Sequence, residues 1–324
     1  MVNHFRTDFY WMQRERKALC PWVDKYPWRL ADHMGFCGDH RICCHDRSRD
    51  AHGLLNYFLE NSTARNPLFD LLLKAIIRAE VRLVSRFIPQ RSHEERLTGN
   101  LVSEIDAAIY LVRESFRQLA LERYQEPKEI DFYYYDLSRG GRVEKVTGAD
   151  LGLMFVIDLP DYPMTVRSIR LQAKKLEGGS AQIDLAQFGT LGCNGNDTAY
   201  LFYDMDYRTL MSPIVVECRH MSRKAEKAGS EGHGSFTMNF EDVSEGIPLS
   251  LYVPFRLFSG EYGMLHRTVS EAYSQFRALS SRGGNQDNQS ARYLGIVSLG
   301  KPISLEMNGD GGLGMAIGDD KVQF

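Results

Sequence analysis

Cysteine is scarce, with six in 324 residues. That density excludes a disulfide-stapled scaffold. Neither sign of charge dominates: 39 Lys and Arg stand against 42 Asp and Glu, a net charge of −3. A strongly basic coat for nucleic acid is therefore excluded, although a local basic face is not, because net charge says little about one side of a molecule. Long uninterrupted apolar runs are missing. The most apolar stretch, 68–88, is broken by Asp70, Lys74, Arg78, Glu80, Arg82 and Arg86. Several of these would cost about 3 kcal/mol each at a bilayer centre. The first twenty residues carry Arg6, Asp8, Arg14, Glu15, Arg16 and Lys17, which leaves no apolar segment for a secretory signal. These absences predict a cytoplasmic protein with reduced thiols and no membrane contact. Internal repeats and low-complexity tracts are lacking too. So are Walker A, GxSxG and HExxH sequences, and the chemistries that depend on them gain no support.

What is present looks globular. Apolar residues make up 43% and charged residues 25%, near the average for folded domains. The stretch before Pro89 is mildly basic and the remainder mildly acidic. Pro89 halts a helix and a polar segment follows it. This predicts a mostly helical N-terminal region over 1–95, a core over 96–230 and a C-terminal extension over 231–324 packed on that core.

Periodicity supplies the elements. Leu72, Ile76, Leu83 and Phe87 recur at helical spacing over 68–87. A second helix spans 97–119, with Thr98 as its N-cap and Leu101, Ile105, Ala108 and Val112 on one stripe. Strands follow at 130–137, 151–159 and 166–174, then a helix at 181–191 and short strands at 199–203 and 213–218. Ser138-Arg139-Gly140-Gly141 reads as a turn joining the first two strands, and 160–163 as a short loop joining the next two. The stretch 225–236 reads as a loop, 266–279 as a helix, 283–289 as a polar loop and the Gly-rich end as irregular. The α-β-β-β-α-β order predicts an α/β (α+β) fold with a mixed central sheet and flanking helices.

One constellation carries chemistry. Asp150 opens the second strand, and Gln172 and Lys174 lie two apart on the third, so they project to one face. If those strands pair as an antiparallel hairpin, the start of one abuts the end of the other and Asp150 lies beside Gln172 and Lys174. Such a cluster suits phosphodiester hydrolysis with a hard divalent cation, Mg²⁺ or Mn²⁺. Asp150 would anchor the metal, Gln172 and the Ala173 carbonyl would offer oxygens, and Lys174 would hold water and offset charge. Glu104, on the preceding helix, is the candidate for the further carboxylate.

The stretch Thr147-Gly148-Ala149-Asp150-Leu151, followed by Leu171-Gln172-Ala173-Lys174-Lys175, resembles the restriction-endonuclease-like PD-(D/E)XK nuclease superfamily, in its QxK, Mrr-like branch. The resemblance covers 97–205 and includes the helix that carries Glu104. Gly-Ala stands where the nominal motif has Pro before Asp150. The resemblance implies an αβββαβ core and a metal-dependent endonuclease acting on DNA, an effector in bacterial anti-phage defence or restriction. It also implies gating by a regulatory subunit or a homodimer. An inactive module that binds nucleic acid or protein, and an RNase on the same fold, stay open as alternatives.

Two further groups are candidates. Arg219, Arg223, Lys224 and Lys175 would follow a phosphate backbone, against the simpler reading of a solvated surface. Cys37, His40, Cys43 and His45 would suit structural zinc by donor type, although the spacing matches no standard finger and packed cysteines with exposed histidines are the simpler reading.

Overall fold

The computed structural model describes residues 66–136, 149–192, 196–206, 211–243, 246–258, 262–278, 293–307, 313–317 and 320–322. The expected turn at 138–141, the loop at 283–289 and the zinc candidates Cys37, His40, Cys43 and His45 lie outside the described residues.

Two long helices come first. Helix α1 (Pro67–Arg86) is started by Asn66, whose side chain accepts the Leu68 N–H, and by a proline whose missing N–H costs nothing there. It is buried on most of its surface, from Leu68 through Val84. Helix α2 (Glu94–Tyr124) ends at Gln125 in the left-handed conformation, φ 59°. It begins three residues earlier than periodicity suggests. Thr98 is therefore not its cap but a buried residue of its second turn. The buried side chains of α1, α2 and the sheet form one continuous core.

The central sheet is mixed. Its strands are β1 (Glu129–Asp136), β2 (Leu151–Ile157), β3 (Thr165–Leu176), β5 (Thr198–Asp204), β6 (Ile214–Glu217), β8 (Ile247–Pro248), β9 (Met264–His266) and β10 (Tyr293–Gly300). Their order across the sheet is β1-β10-β2-β3-β5-β6-β8, with β9 added to β3. As expected, β2 and β3 form an antiparallel hairpin, with Leu151 opposite Leu171 and Ile157 opposite Thr165. Strand β5 then runs parallel to β3, after helix α3 (Leu185–Leu191).

Several expectations are corrected. β1 and β2 are not neighbours, because β10 enters between them, antiparallel to β1 and parallel to β2. The stretch expected as one helix over 181–191 splits. Its first half is β4 (Ser180–Asp184), in which Ala181 and Ile183 alternate inward, and Asp184 then caps α3. The stretch expected as a loop over 225–236 contributes to helix α4 (Cys218–Ser230) and to β7 (Ser235–Asn239), which pairs with β4. Cys218, Met221, Ala225 and Ala228 are buried at helical spacing, a stripe obscured by the Lys and Gly residues around it. The end expected as irregular contains β11 (Ile303–Met307), β12 (Leu313–Ile317) and β13 (Asp320–Val322). Short helices α5 (Phe240–Val243), α6 (Leu249–Tyr252) and a π-helical turn over Val253–Phe258 precede β9, and α7 (Val269–Ala278) follows it.

The register sorts the two faces of the sheet. Odd-numbered residues of β3 share a face with Tyr203 of β5, which meets Thr98 of α2. Even-numbered residues share the opposite face with Tyr200 and Phe202. There Phe188 of α3 stacks on Tyr200 with ring centroids 6.2 Å apart. On the same face, Val269, Ala272 and Tyr273 of α7 pack on Met154, Val156 and Val166. No described helix is long and apolar enough to cross a membrane.

Candidate functional site

The hairpin places Asp150 one residue before the first β2–β3 pair, level with Gln172. Its backbone is held from both sides. The Asp150 N–H donates to Leu171 O, and the Tyr293 N–H of β10 donates to Asp150 O, each at 3.0 Å. The side chain turns to β3. Asp150 Oδ2 accepts from Gln172 Nε2 at 2.5 Å and from the Ala173 N–H at 2.9 Å. Gln172 is buried, and its Nε2 also reaches Ala173 O at 3.3 Å. Asp150 Oδ1 and Gln172 Oε1 accept no hydrogen bond among the described residues.

Lys174 projects to the Gln172 face of β3 and is half-buried. Its ammonium makes no hydrogen bond or ion pair among the described residues, yet its charge acts on Asp150. Asp150 itself is pushed up to about 6. Burial is the main cause, opposed by the Ala173 N–H. The Glu94 carboxylate pushes the value up further, Lys174 pulls it back, and Glu95 adds a smaller push.

Glu94 and Glu95 are the residues that the sequence pattern alone did not single out. They form the first turn of α2, and Glu94 Oε1 accepts the Lys175 N–H at 3.0 Å. Their signal is nonetheless there, since acidic residues gather in the first turn of helices, here just after Pro89 and Ser92. A helix start placed at residue 97 hides it. Arg170 escapes the pattern as well. It shares the face of Gln172 and Lys174, and its Nη2 donates to Asp197 Oδ2 at 3.0 Å.

Glu104 is corrected. It lies ten positions beyond Glu94, ~15 Å along the helix at 1.5 Å per residue, and is spoken for by α1. Arg82 Nε sits 2.5 Å from Glu104 Oε2, and Arg86 Nη1 sits 3.5 Å from Oε1. It is a strut between two helices, and the structure does not bring it to Asp150.

The expected phosphate-following set also divides. Lys175 pairs with Glu177 at 2.6 Å, and Lys224 with Asp242 at 2.5 Å. Arg219 pairs with Glu217 at 2.6 Å and lies over the Tyr262 ring. Arg223 is exposed and makes no ion pair among the described residues.

The free donors on the hairpin are oxygens, Asp150 Oδ1 and Gln172 Oε1, and Glu94 caps the Lys175 N–H two residues along β3 from the Ala173 N–H that Asp150 caps. Hard oxygen donors fit Mg²⁺ or Mn²⁺ and not a thiol-seeking metal. Among the described residues, no group of three or more His, Cys, Asp and Glu side chains is arranged to hold a metal ion, so any cation here leans on the Gln172 amide and on water. No protein-family model, no curated protein and no solved structure matches the chain, and the site stands on its own geometry.

Proposed function

We propose that the protein is a divalent-metal-dependent nuclease of the restriction-endonuclease-like kind, hydrolysing phosphodiester bonds of DNA. The observation that carries this reading is the hairpin contact that sets Asp150 against Gln172 and Ala173, with Lys174 on the same face. Asp150 and Gln172 would hold the cation, and Glu94 takes the place expected of Glu104. A bound cation would polarise a phosphoryl oxygen and lower the pKa of its water. Gln172 and the Ala173 N–H fix the rotamer of Asp150. The Lys174 ammonium donates to a non-bridging phosphoryl oxygen, where negative charge builds as water attacks and the ester bond breaks. Arg223 offers an exposed charge for backbone phosphates. A role in anti-phage defence or restriction, with a regulatory subunit or a second copy as gate, belongs to the same proposal.

One observation favours a binding-only module instead. Asp150 Oδ2 already takes two hydrogen bonds, as an aspartate that merely locks a hairpin would. Purified protein incubated with Mg²⁺ or Mn²⁺ and matched DNA and RNA separates the readings. Asp150→Ala and Lys174→Ala are each expected to lower cleavage by about 10²-fold or more. Either variant cutting at the wild-type rate would remove the site assignment. Cleavage of RNA alone would make the enzyme an RNase, and metal-independent binding without cleavage would favour the module.

A further inference from the structure

We propose that Tyr203 and Thr98 form a positioning relay that holds the start of α2 against β3 and so keeps the Glu94 carboxylate on the Lys175 N–H, two residues along the strand from the Ala173 N–H that holds Asp150. The inference rests on the cation-site reading above and adds the device that sets its geometry.

The contacts form a closed circuit through three elements. The Tyr203 hydroxyl of β5 lies 3.1 Å from Thr98 Oγ1 of α2. Thr98 Oγ1 donates to Glu94 O, one turn earlier, at 3.0 Å. Glu94 Oε1 accepts the Lys175 N–H of β3 at 3.0 Å. Lys175 is the register partner of Tyr203 on β5, which closes the circuit. Tyr203 and Thr98 are sealed from solvent, at 1% and 0% exposure, so water cannot replace either hydroxyl. A threonine hydroxyl bonding back to the fourth residue before it adds little to a helix. Its use here is the second contact, to Tyr203. Burial pushes the Tyr203 phenol well up, the Thr98 hydrogen bond pulls it back, and the charges of Asp150 and Glu94 add to the push.

A ring without a hydroxyl would fill the same space. The hydroxyl is what ties the first turn of α2 to the sheet. Without it, the first turn can shift relative to β3 while the rest of the helix stays packed. Misplacement of a ligand by about 1 Å is enough to weaken a metal site or its chemistry substantially.

The test is Mn²⁺ binding to the full-length chain, read from loss of the free-ion electron paramagnetic resonance signal, with DNA cleavage in parallel. Tyr203→Phe and Thr98→Val are each expected to raise the half-saturating Mn²⁺ concentration about tenfold. The double variant should be no worse than either single one, because both cut the same chain of contacts. Thr98→Ser keeps the hydroxyl and should bind like wild type. A purely structural pair would lower the unfolding midpoint and leave Mn²⁺ affinity unchanged. That result, in whichever single variant folds, overturns the relay and leaves the nuclease reading in place. Failure of the wild-type chain to bind Mn²⁺ overturns both.

Discussion

At the scale of single residues, burial decides which carboxyls are charged. Glu80 is fully buried in α1, where its Oε1 accepts the Ser250 N–H at 2.8 Å. Burial pushes it up to about 8 from an ordinary 4.5, and hydrogen bonds from Ser250 and Ser212 only partly oppose this. Between those two values the folded state holds a proton that the unfolded chain has released. Stability therefore falls as pH rises through the window. At about 1.4 kcal/mol for each pH unit crossed, the loss from acid to mildly alkaline pH amounts to a few kcal/mol. Glu80→Gln removes the charge and keeps the shape, so its stability should fall by less over the same range and should exceed that of wild type at pH 8. Urea unfolding at pH 5, 6.5 and 8 measures both, and parallel pH dependences would refute the assignment. Asp150 is also pushed up, but its neighbours are carboxylates and a lysine in reach of solvent. Structural acids such as Glu104 and Glu217 are instead met by arginines.

At the scale of elements, β10 is the strand with the least room for error. Gly300 ends it at φ 119°, a conformation that side chains rarely adopt, and a Cβ there would collide with the Asp158 backbone oxygen. Gly300→Ala should cost more than about 2 kcal/mol, read as a fall in the urea midpoint. A variant as stable as wild type would show that the end of β10 can move. The elements legible in the sequence are those whose pattern is local. Leu72, Ile76 and Leu83 announce α1. The apolar run from Leu151 to Ile157, followed within eight residues by the alternation of β3, announces the hairpin that unites Asp150 with Gln172. Elements that depend on distant partners are hidden. Nothing near β1 or β2 says that Tyr293–Gly300 will separate them. The true start of α2 is hidden too, because Glu94, Glu95 and Arg96 are polar and carry no stripe. That three-residue displacement leaves Glu94 and Glu95 outside the expected helix.

At the scale of the whole molecule, the sheet is closed by a strand from near the far end of the chain. β1 pairs with β10 over eight residues and β2 over seven. A chain stopped at residue 290 would leave β1 and β2 without their shared partner and the Asp150 carbonyl without the Tyr293 N–H. Unmet backbone groups in a buried sheet are costly. Such a chain should lose its cooperative unfolding transition by circular dichroism, and a transition matching wild type would show that β10 is dispensable. The same pairing has a consequence during synthesis. The hairpin with Asp150 and Gln172 leaves the ribosome long before residue 293 does, and until then β2 and the Asp150 carbonyl lack the backbone partners that Tyr293–Gly300 supply. An unfinished or prematurely terminated chain would therefore present an unpaired β2 edge, a ready template for sticking to another copy of itself.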